Sequence, residues 1–146
     1  MPPPKLTILC IDDHWSGLIG RKILLEENGY QVLEATGGPE GIDLFLSRSV
    51  DAVVVDYQMP GMNGDVVATK MKRLKSGVPI MLLSAYGPLP PRKLKSVDTF
   101  LCKSESPSAF LAALRDMVDR PSPFFFSRWL NHWKSRNDRS GNRPPH

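Results

Sequence analysis

Residues 52 to 64 read AVVVDYQMPGMNG. Four apolar residues, three of them β-branched, lead straight into Asp56, and Pro60, Gly61 and Gly64 then break the chain. A run without polar alternation has the texture of a strand buried on both faces. The carboxylate that ends it has two readings. It starts a turn, as Asp commonly does, or it is held at the rim of a sheet to do chemistry.

Working outward, similar apolar runs occur at 6–11 (LTILCI), 30–35 (YQVLEA), 79–83 (PIMLL) and 99–102 (TFLC). Most are separated by segments with helical spacing. The first helix is expected over 15–28, closing at Asn28-Gly29 with Gly at a left-handed cap position. A second follows GGPEG, with Pro39 in its first turn. The third begins around Gly64-Asp65 and carries Val67, Met71 and Leu74 at helical spacing. The last has Ser106 as N-cap, Pro107 in the first turn, and Phe110, Leu111, Leu114, Met117 and Val118 as its buried stripe. Five strand-helix units of this kind imply an α/β fold: a five-stranded parallel sheet, covered on both faces through right-handed crossovers. One connection departs from the pattern. In SAYGPLPPRKLKSVD, residues 84–98, three prolines (Pro88, Pro90, Pro91) crowd the place where a fourth helix should start. A proline is tolerated only in the first helical turn, so any helix there is expected to begin near Pro90 or Pro91 and to be short or irregular.

The chain has 146 residues and a net charge of +4. Its charge is uneven. Residues 1–120 carry 14 basic and 14 acidic residues, whereas 121–146 carry five basic residues against Asp138 alone. One domain over 1–120 and a basic, aromatic tail over 121–146 are expected. In the tail, Phe126, Trp129, Leu130 and Trp133 allow a two-turn amphipathic helix, while 135–146 lack apolar anchors and read as disordered. The tail is too short for a DNA-reading module with its own core. It has the chemistry to fold back on the domain or to dock on a protein partner, with an anionic membrane surface as the weaker alternative. Cys10 and Cys102 sit in apolar runs and make neither a disulfide framework nor a metal-ligand pattern. The N-terminal apolar run is too short for a signal peptide core or a membrane span, so a reduced, cytoplasmic protein is expected.

Ligands of open parallel sheets bind at the carboxyl ends of the strands, near the point where strand order reverses. Those ends carry Asp12 and Asp13, Asp56, Ser84 and Lys103. Three carboxylates in one partly buried site require protonation or a neutralising cation. Magnesium suits the set, since it takes one or two carboxylates and leaves positions for phosphate oxygens. A carboxylate nucleophile, a divalent cation, a Lys and a hydroxyl together have the character of a phosphoryl-transfer site.

The stretches CIDDH, LLEENGYQVLEAT, DAVVVDYQMPGMNG, IMLLSAY and FLCKSESP, in this order and at this spacing, resemble the receiver domain of bacterial two-component response regulators over roughly residues 5–119. The resemblance implies a flavodoxin-like, doubly wound sheet of strand order 2-1-3-4-5. It implies a stand-alone, CheY-like phosphoacceptor without a separate output domain, and no enzyme in the ordinary sense. Asp56 would accept the phosphoryl group from a phosphohistidine of a sensor histidine kinase or phosphotransfer protein. Asp12, Asp13, Asp56 and the backbone carbonyl of Gln58 would hold Mg²⁺. Ser84 would bond a phosphoryl oxygen, Lys103 would pair with the acyl phosphate, and Phe100 would turn inward as the switch aromatic. The face of the fourth helix, fifth strand and fifth helix would carry a downstream partner or a homodimer. Two departures stand out. Ser104 follows Lys103 where the family has Pro, and the connection from Ser84 to Lys103 is about one helical turn short.

Plainer readings exist for each residue taken singly. Asp12-Asp13 caps the first helix; Ser84 and Lys103 are ordinary loop residues; Phe100 belongs to the core; His14 and Trp15 form a solvated rim. Two other functions also remain: a degenerate receiver that only binds protein, and a hydrolase with an aspartyl-phosphate intermediate. The hydrolase reading lacks the second Asp two residues after the nucleophile, where this chain has Gln58.

Overall fold

The computed structural model describes residues 3–119. The apolar runs are strands: β1 (Thr7–Ile11), β2 (Gln31–Ala35), β3 (Ala52–Asp56), β4 (Ile80–Ser84) and β5 (Thr99–Cys102). The helices are α1 (Trp15–Glu27), α2 (Gly38–Ser47), α3 (Gly64–Leu74) and α4 (Pro107–Asp119). Every strand pairing is parallel, in the order β2-β1-β3-β4-β5. This is the doubly wound order expected above. The helix and the disordered stretch expected within 121–146 lie outside the described residues.

Side-chain alternation along the buried strands builds two cores, one on each face of the sheet. Leu9, Ile11, Val53, Val55, Ile80 and Leu82 face α2 and α3, where they meet Phe45, Val67, Ala68 and Met71. Ile8, Cys10, Ala52, Val54, Met81 and Leu83 face α1 and α4, against Leu18, Leu25, Phe110, Leu114 and Met117. Each fully buried aliphatic side chain contributes about 1.5–3 kcal/mol relative to exposure. These two layers therefore fix the level of the strands. Ile11 pairs with Ala35 and Val55, Asp56 with Leu83, and Ser84 with Cys102, so the carboxyl ends of all five strands stand side by side.

The helix ends follow local chemistry. Tyr30 N–H donates to Leu25 O and Gly29 N–H to Glu26 O, with Gly29 at φ 90°, a Schellman closure of α1. Ala109 N–H donates to Ser106 Oγ (3.1 Å), confirming that residue as the cap of α4. None of the helices among the described residues is long and apolar enough to cross a membrane.

On α3, Leu74 stands at helical spacing with the buried Val67 and Met71 but is itself 47% exposed. Lys72 is buried instead, its Nζ donating to Asp98 Oδ2 (2.6 Å) and to Val78 O (2.8 Å). Asp98 also accepts the Ile80 N–H (2.8 Å), so one ion pair ties the end of α3 to the starts of β4 and β5. The connection between β4 and β5 is short and irregular, as the prolines led one to expect. No fourth α-helix stands between β4 and β5; the connection holds only a 3₁₀ turn, Pro91–Lys93. The prolines remove N–H donors and keep their neighbours out of helical geometry, and too few residues remain before Asp98 for a regular helix. Side chains hold the connection onto α3 instead. Lys93 Nζ lies 3.6 Å from Asp65 Oδ2 and 5.5 Å from the centre of the Tyr57 ring, and Thr69 and Ser96 share a hydroxyl hydrogen bond (3.2 Å). Leu89, Leu94 and Val97 cover the core where a helix would have done so.

Candidate functional site

β1 and β3 are neighbours at the point where the strand order reverses, and the residues that leave their ends converge. Asp12 and Asp56 are in phase with Cys10 and Val54 and so sit toward the α1 side of the sheet. Both are buried, at 0% and 3% exposure. Lys103, one residue beyond β5, bridges them: its Nζ lies 3.0 Å from Asp56 Oδ1 and 3.3 Å from Asp12 Oδ2. Asp12 Oδ1 accepts the His14 N–H (2.9 Å). Burial raises the Asp12 carboxyl, but hydrogen bonds from Arg21 and His14 and the charges of Arg21 and Lys103 outweigh it and hold its pKa below the usual value. For Asp56 burial prevails. With the Asp12 charge added, it keeps the pKa above the usual value despite Lys103.

Asp12, Asp13, His14 and Asp56 each offer a ligand atom within 4.8 Å of the others. Asp13 Oδ1 is buried and accepts no hydrogen bond; His14 Nδ1 lies 3.2 Å away without bonding geometry. A buried carboxylate oxygen left without a donor, beside two more carboxylates, is what a hard divalent cation satisfies. The residues thus fit a metal centre. His14, expected as rim, is exposed as expected but brings a nitrogen to the cluster. Trp15 is 61% exposed on the first turn of α1.

The cluster opens into a cleft of about 810 Å³ lined by Asp13, Asp56, Gln58, Asn63, Tyr86 and Lys103, among others. Its floor depends on the turn after β3. Gly64 N–H donates to Tyr57 O (2.8 Å), and a Cβ at Gly64 would stand 2.3 Å from the Asp56 carbonyl oxygen. Only glycine lets α3 start so close beneath Asp56. Ser84, buried at the end of β4, accepts the Tyr86 N–H (3.2 Å). Phe100 does not join the cleft; it is half-buried on β5 in register with Leu82 and packs on the α2/α3 core. Lys103 continues the ladder through its N–H to Ser84 O (2.8 Å), and the peptide bonds among the described residues, Lys103–Ser104 included, are trans.

Two residues escaped the sequence reading. Arg21, with its side chain 13% exposed, places NH2 on Asp12 Oδ2, in a space that Gly17 leaves open. The available signal was a basic residue in phase with the buried Leu18 and Leu25 on one helix. The steric role of Gly64 had no signal beyond its place in a turn.

With this geometry in hand, comparison with known proteins is decisive: residues 8–115 match the response regulator receiver domain. The chain belongs to this family. Among curated relatives, the transcriptional regulatory protein GlrR of Escherichia coli is 28% identical over 125 residues, 84% of this chain and 28% of GlrR. Sporulation initiation phosphotransferase F of Bacillus subtilis is 33% identical over 86 residues, 56% of this chain and 66% of that protein. The receiver therefore spans only part of the length of these relatives. Among solved structures, the response regulator TrrA of Thermotoga maritima in complex with Mg(2+)-BeF is 28% identical, with a TM-score of 0.73 over 77% of this chain and 98% of that one. A CheY-like receiver domain of Methanospirillum hungatei, 24% identical, shares the fold with a TM-score of 0.75 over 80% of this chain and 95% of that one.

Proposed function

We propose that this receiver is a phosphoacceptor switch in a phosphorelay, in which Asp56 takes a phosphoryl group from a phosphohistidine of a sensor kinase or phosphotransfer protein. The observation that carries the reading is the convergence of a buried Asp56, its Lys103 partner and the Asp12-Asp13 pair on one open cleft. Lys103 holds Oδ1 of Asp56, which leaves Oδ2 to attack phosphorus. As that O–P bond forms, the N–P bond of the donor breaks, and the electron pair returns to the imidazole, which takes up a proton. The acyl phosphate then faces Lys103, whose charge moves from the carboxylate to the phosphoryl oxygens. Ser84 is placed one strand away; rotation of its hydroxyl from the Tyr86 N–H toward a phosphoryl oxygen would draw the β4–β5 connection inward, with Phe100 following on β5. Asp12, Asp13, Asp56 and the Gln58 carbonyl would hold Mg²⁺, which would supply charge neutralisation for the transfer. The reaction is confined to the protein's own side chain, so the receiver serves as a signalling element.

Intact-mass measurement after incubation with Mg²⁺ and acetyl phosphate tests this. A single phosphoryl adduct is expected, absent from Asp56→Asn and from EDTA-treated protein. Wild-type protein that stays unmodified with several small donors and with a phosphohistidine donor would establish the degenerate binding module instead. Continuous release of phosphate from free esters would establish the hydrolase.

A further inference from the structure

The acidic cluster already holds a cation of its own. Arg21 NH2 contacts Asp12 Oδ2 from the middle of α1, and its side chain is almost enclosed. The same oxygen receives Lys103 at 3.3 Å, and the other oxygen of Asp12 receives the His14 N–H at 2.9 Å. Asp12 is therefore the most heavily engaged carboxylate of the set, while Asp13 Oδ1 lacks any donor. Three carboxylates meet two fixed cations, Arg21 and Lys103, so a divalent ion arriving at the cluster finds only one uncompensated negative charge. It also meets a guanidinium one carboxylate away. Like charges at that range oppose each other strongly in a partly buried site.

The slot that admits Arg21 is built by a missing side chain. Gly17 lies one helical turn before Arg21, and a Cβ there would stand 2.7 Å from Arg21 NH2 and 2.9 Å from Asp12 Oδ2. Asp12 is anchored from three directions, so the guanidinium is the group that would give way. Arg21 NH1 is buried without a hydrogen-bond partner, so the residue's polar satisfaction rests on the contact with Asp12.

We propose that Arg21, seated in the gap left by Gly17, is a built-in competitor of the divalent cation, setting how much metal the receiver needs before its phosphorylation site is assembled. The inference rests on the acidic cluster being a divalent-cation site. Arg21 acts through Asp12 as a positioning residue. A metal must either displace the guanidinium or bind through Asp12 Oδ1, Asp13 and Asp56 against its charge. Two states of one cluster then exchange, and the concentration of free metal decides between them.

Calorimetric titration of Mg²⁺ into the full chain at fixed ionic strength tests the proposal with four proteins: wild type, Arg21→Met, Arg21→Lys and Gly17→Ala. Arg21→Met keeps most of the apolar stem and removes the charge. Gly17→Ala retains the arginine but closes its slot, and alanine is the better helix former. Both are expected to bind Mg²⁺ about tenfold more tightly or better, whereas Arg21→Lys stays nearer wild type because the charge remains. Far-UV circular dichroism confirms that each variant is folded. Equal or weaker binding in folded Arg21→Met, with wild type binding normally, overturns the role of Arg21 and leaves the metal site intact. Titrations without binding in all four proteins overturn the metal site itself, and the competitor with it.

Discussion

At the residue scale, Asp56 pays for its position in the currency of charge. It is held beside Asp12 in a buried corner, and Lys103 does not fully compensate, so its pKa is raised. A raised carboxyl pKa means that the folded state binds the proton more readily than the unfolded chain. Stability therefore falls as pH rises from the ordinary Asp value through the folded value, and the penalty persists at neutral pH. Asp56→Asn removes it. In EDTA at pH 7 the variant is expected to melt a few degrees above wild type, with the gap closing on acidification below the ordinary carboxylate range. Thermal melts across that pH range check this; an Asn variant that melts lower at pH 7 would show that the Lys103 contact prevails over burial and repulsion. Asp12 has the opposite sign: its lowered pKa contributes stability above the ordinary value that is lost as pH falls through the folded one. The identity of Asp56, Asp12 and Asp13 was legible from the apolar runs before them, because a carboxylate cannot end a buried strand without a reason. The contact between Arg21 and Asp12 was not. It depends on a rotamer and on the absence of a side chain at Gly17, and neither follows from helical spacing.

At the element scale, the central strands β1, β3 and β4 were legible because both faces of each are buried, which leaves continuous apolar runs, whereas the edge strands β2 and β5 are only partly buried and were read from shorter runs at regular spacing. The short connection after β4 was legible for a different reason, since proline acts on local backbone geometry whatever the tertiary context. What held that connection was not. Spacing on α3 put Leu74 in phase with Val67 and Met71 and said nothing of Lys72, whose long stem reaches Asp98. This pair anchors the segment that stands in place of a helix. Asp98→Ala would leave Lys72 buried beside Val78 O without its carboxylate, and would also remove the acceptor of the Ile80 N–H. A loss of about 3–5 kcal/mol is expected, measured by urea denaturation. A loss below about 1 kcal/mol would mean that the pair is no better than a surface ion pair.

At the scale of the whole molecule, the described residues, 3–119, carry a two-layered core and the cleft, and residues 8–115 carry the family match. The excess positive charge lies beyond them. Phosphorylation and association should therefore separate. Deleting 121–146 is expected to leave the rate of adduct formation at Asp56 within about twofold of the full chain, a difference worth well under 1 kcal/mol, and to change only the mass in solution or the capture of a partner. Light scattering with and without a beryllofluoride adduct, beside intact-mass kinetics, checks both halves. Loss of the adduct on truncation would show that the tail belongs to the site.

The exposed Trp15, one residue beyond His14, also acquires a practical meaning. Of the three tryptophans in the chain, Trp129 and Trp133 leave with the tail. In the truncated receiver a single indole remains, on the turn of helix that borders the acidic cluster. The molecule thus contains an intrinsic fluorophore at the edge of its acidic cluster, and its emission is expected to change when a metal or phosphoryl group occupies that cluster, without a label.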